Sequence, residues 1–187
     1  MPYLFPPGED AANLVRQLGR QNWRGQIIGP HGSGKSTLLA SLAAQLAQAG
    51  REPLTITLHD NEPTLARHSD TLNRAQADTI VIIDGFEQLS TWSRWRVRRF
   101  CRRRGAGLLV TAHASVGLKT LAVTAVDART AAAVFHWLVP DAVRLSEADL
   151  AAALAAHPTN LRDVLDALYD LYELRRWECA TISSSSR

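Results

Sequence analysis

Gly29-Pro30-His31-Gly32-Ser33-Gly34-Lys35-Ser36-Thr37 is the stretch whose reading decides the fold. It satisfies the pattern GxxxxGK[ST] at every fixed position. Glycines at these points let backbone N–H groups turn inward onto phosphate oxygens with no Cβ in the way. The lysine can reach the outer phosphates, and the serine hydroxyl can ligate Mg²⁺. The flanks agree with that reading. Trp23 to Ile28 reads as a strand entering the loop, and Ser36 to Ala49 as a helix leaving it, closed by Gly50. A helix start adds unpaired N–H groups and the positive end of a dipole, both of which favour an anion. A dinucleotide fingerprint fails, because the third glycine of GxGxxG is missing after Gly32 and Gly34.

Outward from the loop, strand and helix patterns alternate. Glu9 and Asp10 open a short helix with apolar Ala11, Leu14, Val15 and Leu18, and Gly19 is read as its stop. Residues 54–58 alternate as a strand, and 60–78 are polar, read as a loop with a short helix. Thr79-Ile80-Val81-Ile82-Ile83 is a β-branched run suited to a strand buried on both faces of a parallel sheet. A helix over 93–103, a strand over 108–111 and a fifth strand over 121–126 follow. The rest reads as helices over 128–138, 147–156 and 161–177, with Ser146 and Asp149 as a capping box and Thr159 or Asn160 capping the last.

This order predicts an α/β chain: a three-layer α/β/α sandwich around a five-stranded, mainly parallel sheet, with a small C-terminal helical lid. The expected division is a core with its N-terminal helix over 1–140, a lid-like segment over 141–178 and a flexible tail over 179–187. No apolar run is long enough to span a bilayer, and the N-terminus lacks the basic and continuous apolar regions of a secretory signal. Cys101 and Cys179 form no metal-ligand spacing. A cytoplasmic protein without structural zinc and without a membrane partner is expected.

Asp84 ends the β-branched strand, where a carboxylate beside the phosphate loop can hold Mg²⁺ through its waters; with Ser36 it forms the expected metal site. As part of Asp84-Gly85 it also reads as an ordinary turn residue. Glu87 is the candidate general base for an attacking water, or else a solvated first-turn glutamate.

The loop, together with Ile80-Val81-Ile82-Ile83-Asp84 as a Walker B strand after the Walker A loop, resembles the AAA+/STAND branch of P-loop ATPases over residues 20–178. The resemblance implies ATP and Mg²⁺ as cofactors, with Lys35 and the loop from Gly29 through Pro30, His31, Gly32, Ser33, Gly34, Ser36 and Thr37 holding the phosphates. It implies that the strand ending at Thr111 lies between the strands leading to the loop and to Asp84. Thr111 then resembles a γ-phosphate sensor, with His113 as an alternative that positions water. Thr159-Asn160-Leu161-Arg162 is similar to the second sensor region of AAA+ lids, which implicates Arg162. In AAA+ enzymes the glutamate usually follows the aspartate directly; here Gly85 takes that place, as in STAND relatives.

No guanine-reading NKxD is present, since Thr124-Ala125-Val126-Asp127 lacks both Asn and Lys, and no LSGGQ element occurs. ATP is therefore preferred over GTP.

Seven arginines and no acid lie between Arg94 and Arg104, which leaves the remainder of the chain net acidic. Three readings stay open for this helix. It could bind nucleic acid, with Trp92 or Trp95 for stacking. It could meet an acidic protein surface, a second copy or a partner ATPase. Or it is a solvated face. The expected function is an Mg²⁺-dependent ATPase that switches a partner. The alternatives are a slow or non-hydrolysing nucleotide-gated binding module acting through the arginine helix and, below it, a small-molecule kinase.

Overall fold

A computed structural model describes residues 3–59, 62–126, 128–138 and 145–184. The chain divides into two compact units, Met1–Gly29 with Gly34–Thr124, and Pro30–Ser33 with Ala125–Arg187.

The first unit follows the order α1 (Ala11–Arg20), β1 (Arg24–Ile28), α2 (Lys35–Gln48), β2 (Glu52–Thr57), α3 (Ser69–Asn73), β3 (Thr79–Asp84), α4 (Thr91–Arg104), β4 (Gly107–Ala112) and β5 (Thr120–Val123). Its sheet runs β2-β3-β4-β1-β5, and all four neighbouring pairs are parallel. The β-branched run explains why β3 is central. Side chains alternate along a strand, so a strand covered on both faces must be apolar at every position. Ile80 and Ile82 enter the layer formed with Leu14, Leu18, Leu38 and Leu42. Val81 and Ile83 enter the opposite layer with Phe86, Val97 and Cys101. The sandwich expected from the sequence is the one observed, and β4 is indeed inserted between β1 and β3.

Register then lines up the strand ends. Ile28 of β1 stands beside Ala112 of β4, and Ile83 of β3 beside Val110. The residues that continue these strands, Gly29, Asp84 and Thr111, therefore share one edge of the sheet. Gln26 is buried within β1, where an unpaired amide would be costly. Its Nε2 donates to Ser115 Oγ and Thr120 Oγ1, and its Oε1 accepts from the Val116 and Leu118 amides. One side chain thus fastens the whole loop between β4 and β5.

Several boundaries differ from the sequence expectation. Gly19 does not close α1, which starts under an Asp10 cap accepting from the Asn13 amide and runs on to Arg20. The stop comes from Asn22 and Trp23, both at positive φ (54° and 58°), with the Trp23 N–H donating back to the Leu18 carbonyl. The fifth strand is shorter than 121–126, since β1 itself ends at Ile28 and offers no partner backbone beyond Thr124, whose N–H takes the Ile28 carbonyl. Over 60–78 the short helix is a 3₁₀ turn (Ala66–His68) leading into α3.

The second unit holds α5 (Ala128–Leu138), α6 (Glu147–Ala156) and α7 (Leu161–Ser184), packed through Ala131, Phe135, Leu145, Leu150, Ala153, Val164 and Leu168. Ser146 and Asp149 form the expected capping box. Asp149 also takes both guanidinium nitrogens of Arg175 (2.7 and 2.8 Å), and these bonds, before those from Ser146, hold its carboxyl far below the usual range. The last helix extends past Trp177 to Ser184, as no glycine or proline intervenes to stop it. The expected boundary at Pro140, the Asp127 position and tail residues 185–187 lie outside the described residues. Among the described residues, no helix is long and apolar enough to cross a membrane.

Gly107 opens β4 where the backbone passes Trp23. A Cβ there would stand 2.4 Å from Ile80 Cδ1, 2.8 Å from the Trp23 carbonyl oxygen and 2.9 Å from Trp23 Cβ. Gly107→Ala should lower stability by about 1–3 kcal/mol, because the backbone oxygen cannot yield as a side chain can; urea denaturation measures it.

Candidate functional site

The loop between β1 and α2 depends on glycine at two points. Gly34 is the residue before α2 and sits at φ +88°, and Gly32 sits at φ +68°. Both are left-handed conformations that side chains disfavour. Gly32 falls in the second unit together with Asn160 and Arg162. A Cβ on Gly32 would lie 1.6 Å from Asn160 Oδ1 and 3.3 Å from the Arg162 amide nitrogen. Asn160 caps α7 by accepting that same amide at 3.1 Å, which answers which of Thr159 and Asn160 faces the helix start.

Lys35 and Ser33 close the loop from within. Lys35 is buried and its Nζ donates to the Gly29 carbonyl at 2.7 Å, while Ser33 Oγ donates to the Pro30 carbonyl at 2.8 Å. Burial pulls the Lys35 ammonium below its ordinary pKa, and the carboxylates of Glu87 and then Asp84 oppose that. Pro30 and His31 stand on the exposed rim of the loop, and Thr37 lies exposed on the first turn of α2.

Asp84 is the hub of the first unit's site. Its Oδ2 accepts from Ser36 Oγ at 2.6 Å and its Oδ1 from Thr111 Oγ1 at 2.5 Å. Thr111 is fully buried and its hydroxyl in turn accepts the Gly85 N–H at 2.9 Å. Ser36 and Asp84, paired in the sequence as a metal site, and Thr111, picked out on other grounds, thus meet in one chain of hydrogen bonds.

Glu87 follows in a 3₁₀ turn (Phe86–Gln88) entered through Gly85 at φ +85°. Its Oε1 lies 3.0 Å from His113 Nε2, while Oε2 is buried without a hydrogen-bond partner among the described residues. The sequence reading missed two supports of this carboxylate. His113 is one of them, set against the carboxylate by that 3.0 Å contact. Arg94 clamps the turn by donating from Nη2 to the Glu87 carbonyl at 2.7 Å and from Nε to the Leu89 carbonyl at 2.8 Å. A signal for the first existed: both groups sit just past the tips of adjacent strands. Nothing in the local sequence marks the second.

Chemically, the first unit offers a hydroxyl and a carboxylate as hard oxygen donors, an ammonium and a second carboxylate with an unsatisfied oxygen. Among the described residues there is no cluster of three His, Cys, Asp or Glu able to hold a metal alone. The donor set at Ser36 and Asp84 suits Mg²⁺, which keeps most of its waters and takes one or two protein oxygens beside phosphate.

No protein-family model matches this chain, and no curated protein does. Solved structures match over almost its full length. One is a DNA replication initiation factor, 13% identical with a TM-score of 0.67, covering 98% of this chain and 66% of that one. Another is the replication initiator DnaA bound to AMPPCP and single-stranded DNA, 14% identical with a TM-score of 0.64 over 98% and 66% of the two chains. AMPPCP-bound DnaA from Aquifex aeolicus is 13% identical with a TM-score of 0.60, covering 94% of this chain and 65% of that one. This chain therefore spans about two thirds of the length of the structures it matches. Identity this low speaks to architecture alone, and the architecture is clear: the chain has the fold of the AAA+ P-loop ATPases.

Proposed function

We propose that the chain binds ATP with Mg²⁺ at Gly29–Thr37 and hydrolyses it to ADP and phosphate, using the cycle to switch a partner. The observation that carries this reading is the meeting of Ser36, Asp84 and Thr111 at one sheet edge, with Glu87 held nearby and one carboxylate oxygen unsatisfied. The AMPPCP in two of the similar structures, an ATP analogue, supports adenine nucleotide as the ligand.

In this reading Lys35 and the amides of the loop hold the phosphates, and ATP takes over the Lys35 ammonium now given to the Gly29 carbonyl. Ser36 and Asp84 hold Mg²⁺, which when bound neutralises charge on the phosphate oxygens. Thr111 fixes the Asp84 carboxylate and stands where a γ-phosphate would be sensed. Glu87 accepts the proton of the attacking water as its oxygen bonds the γ-phosphorus, and the bond to the ADP oxygen breaks. His113 orients Glu87. Arg162 serves as the arginine of the C-terminal helices that answers phosphate charge, a role that rests on the resemblance of Thr159-Asn160-Leu161-Arg162 to the second sensor region.

Phosphate release from purified protein tests the proposal. Wild type should turn over ATP, and chelation of Mg²⁺ should stop it. Glu87→Gln should still bind ATP yet lose about a hundred- to ten-thousand-fold in turnover, and Lys35→Ala should lose binding itself. If ATP binds but neither wild type nor Glu87→Gln releases phosphate, the hydrolase reading fails and a nucleotide-gated binding module takes its place.

Thr111→Val removes a buried hydroxyl without changing shape, leaving Asp84 one donor short and the Gly85 amide without its acceptor. Hydrogen bonds to charged groups set the expected loss at about 1.5–3 kcal/mol in urea denaturation. Turnover should fall with it, since Asp84 loses the group that fixes its orientation.

A further inference from the structure

The arginine helix α4 is two-sided, and its two sides do different work. Ser93, Val97 and Cys101 face the core. Two arginines flank that face and turn inward. Arg94 clamps the Glu87 turn, Arg98 donates to the Val116 carbonyl, and their guanidinium carbons lie 6.0 and 5.7 Å from the Phe86 ring. These two are structural.

On the opposite face stand Trp92, Trp95, Arg96, Arg99, Arg102 and Arg103, all exposed. Trp92 and Trp95 are 63% and 55% exposed, an unusual outlay of apolar ring surface to water. They are arranged with regularity. The Arg96 guanidinium lies 4.7 Å over the Trp92 ring and that of Arg99 5.5 Å over the Trp95 ring, two successive cation–π pairs at i,i+4 spacing. Among the described residues no carboxylate pairs with Arg96, Arg99, Arg102 or Arg103. From Trp92 to Arg103 the stripe is roughly 16 Å long at the helical rise.

We propose that this face of α4 binds single-stranded nucleic acid. The unpaired arginines attract a polyanion and release its counterions. Each indole carries a guanidinium over its ring and stays more than half exposed, leaving aromatic surface on which a base can stack, the combination by which sequence-tolerant single-strand binders work. An acidic protein surface would answer the same charge and bury the same rings, and poly-glutamate bound as tightly as the strand is the outcome that would mark it. A duplex would keep its bases stacked on one another, out of reach of the indoles. The inference does not depend on the ATP reading, since none of these side chains belongs to the phosphate site.

Fluorescence anisotropy with labelled oligo(dT) and oligo(U) strands tests it, with a duplex of equal length and poly-glutamate as comparison ligands. The expected result is strand binding by wild type, tighter than to duplex or poly-glutamate. Trp92→Ala with Trp95→Ala should weaken strand binding at least about five-fold per ring, while Trp92→Tyr with Trp95→Tyr retains most of it. The triple variant Arg96→Ala, Arg99→Ala and Arg103→Ala should lower the slope of log affinity against log salt by about 2. A preference between the two strands would assign the sugar. No strand binding by wild type, duplex or poly-glutamate bound as tightly as the strand, or a Trp double variant indistinguishable from wild type would each overturn the proposal. Thermal unfolding and phosphate release should match wild type in every variant, so a failure here is separable from a failure of the ATPase reading.

Discussion

The Asp84 carboxylate is the joint on which the site's geometry depends. It ends a strand whose other five residues are fully enclosed, so it emerges at the one place where the sheet edge meets polar groups. An anion in that position needs donors. It obtains them from Ser36, on the first turn of α2, and from Thr111, at the end of β4. Those two bonds tie together three elements far apart in sequence. They also fix the distance between the start of α2 and the carboxylate at the end of β3. The arrangement works only because β4 lies between β1 and β3, in a register that brings their ends level. A slip of one residue in β4 would turn Thr111 to the other face of the sheet.

The parts of this structure legible in the sequence are those whose chemistry is local. The loop from Gly29 to Thr37 announces itself by its fixed residue types, and at one of them, Gly34, a positive φ demands glycine. The run from Thr79 to Ile83 does so because burial on both faces demands apolar β-formers throughout. Ser146 and Asp149 are legible since a capping box is complete within four residues. The order of the strands was available only through resemblance. Gly19 misled because glycine within a helix is tolerated, and the real stop at Asn22 and Trp23 carries no glycine at all. The seven arginines read as one patch, whereas the fold divides them. What separates Arg94 and Arg98 from the rest is the position of three backbone carbonyls, at Glu87, Leu89 and Val116, which no spacing along α4 reveals.

The displaced glutamate follows from the same backbone. Directly after Asp84 the chain takes φ +85°, and a Cβ at that point would approach the Leu58 carbonyl oxygen to 3.1 Å. A glutamate at position 85 would have to hold a left-handed conformation against that contact, so glycine occupies it and the nearest acid comes two residues later. A carboxylate so placed is carried on a short 3₁₀ turn, which by itself holds position poorly. Arg94 compensates by binding the turn's carbonyls, and His113 by binding its carboxylate. The first of these anchors is a residue of α4, the helix whose outer face carries the Trp–Arg pairs. One rigid helix therefore links the Glu87 backbone to the exposed stripe: Trp95, half exposed on that stripe, directly follows Arg94 in sequence. α4 is thus tied to the Glu87 turn in two ways: by the chain itself, which enters the helix through the Ser90 cap, and by the two Arg94 bonds that fold back over that entry.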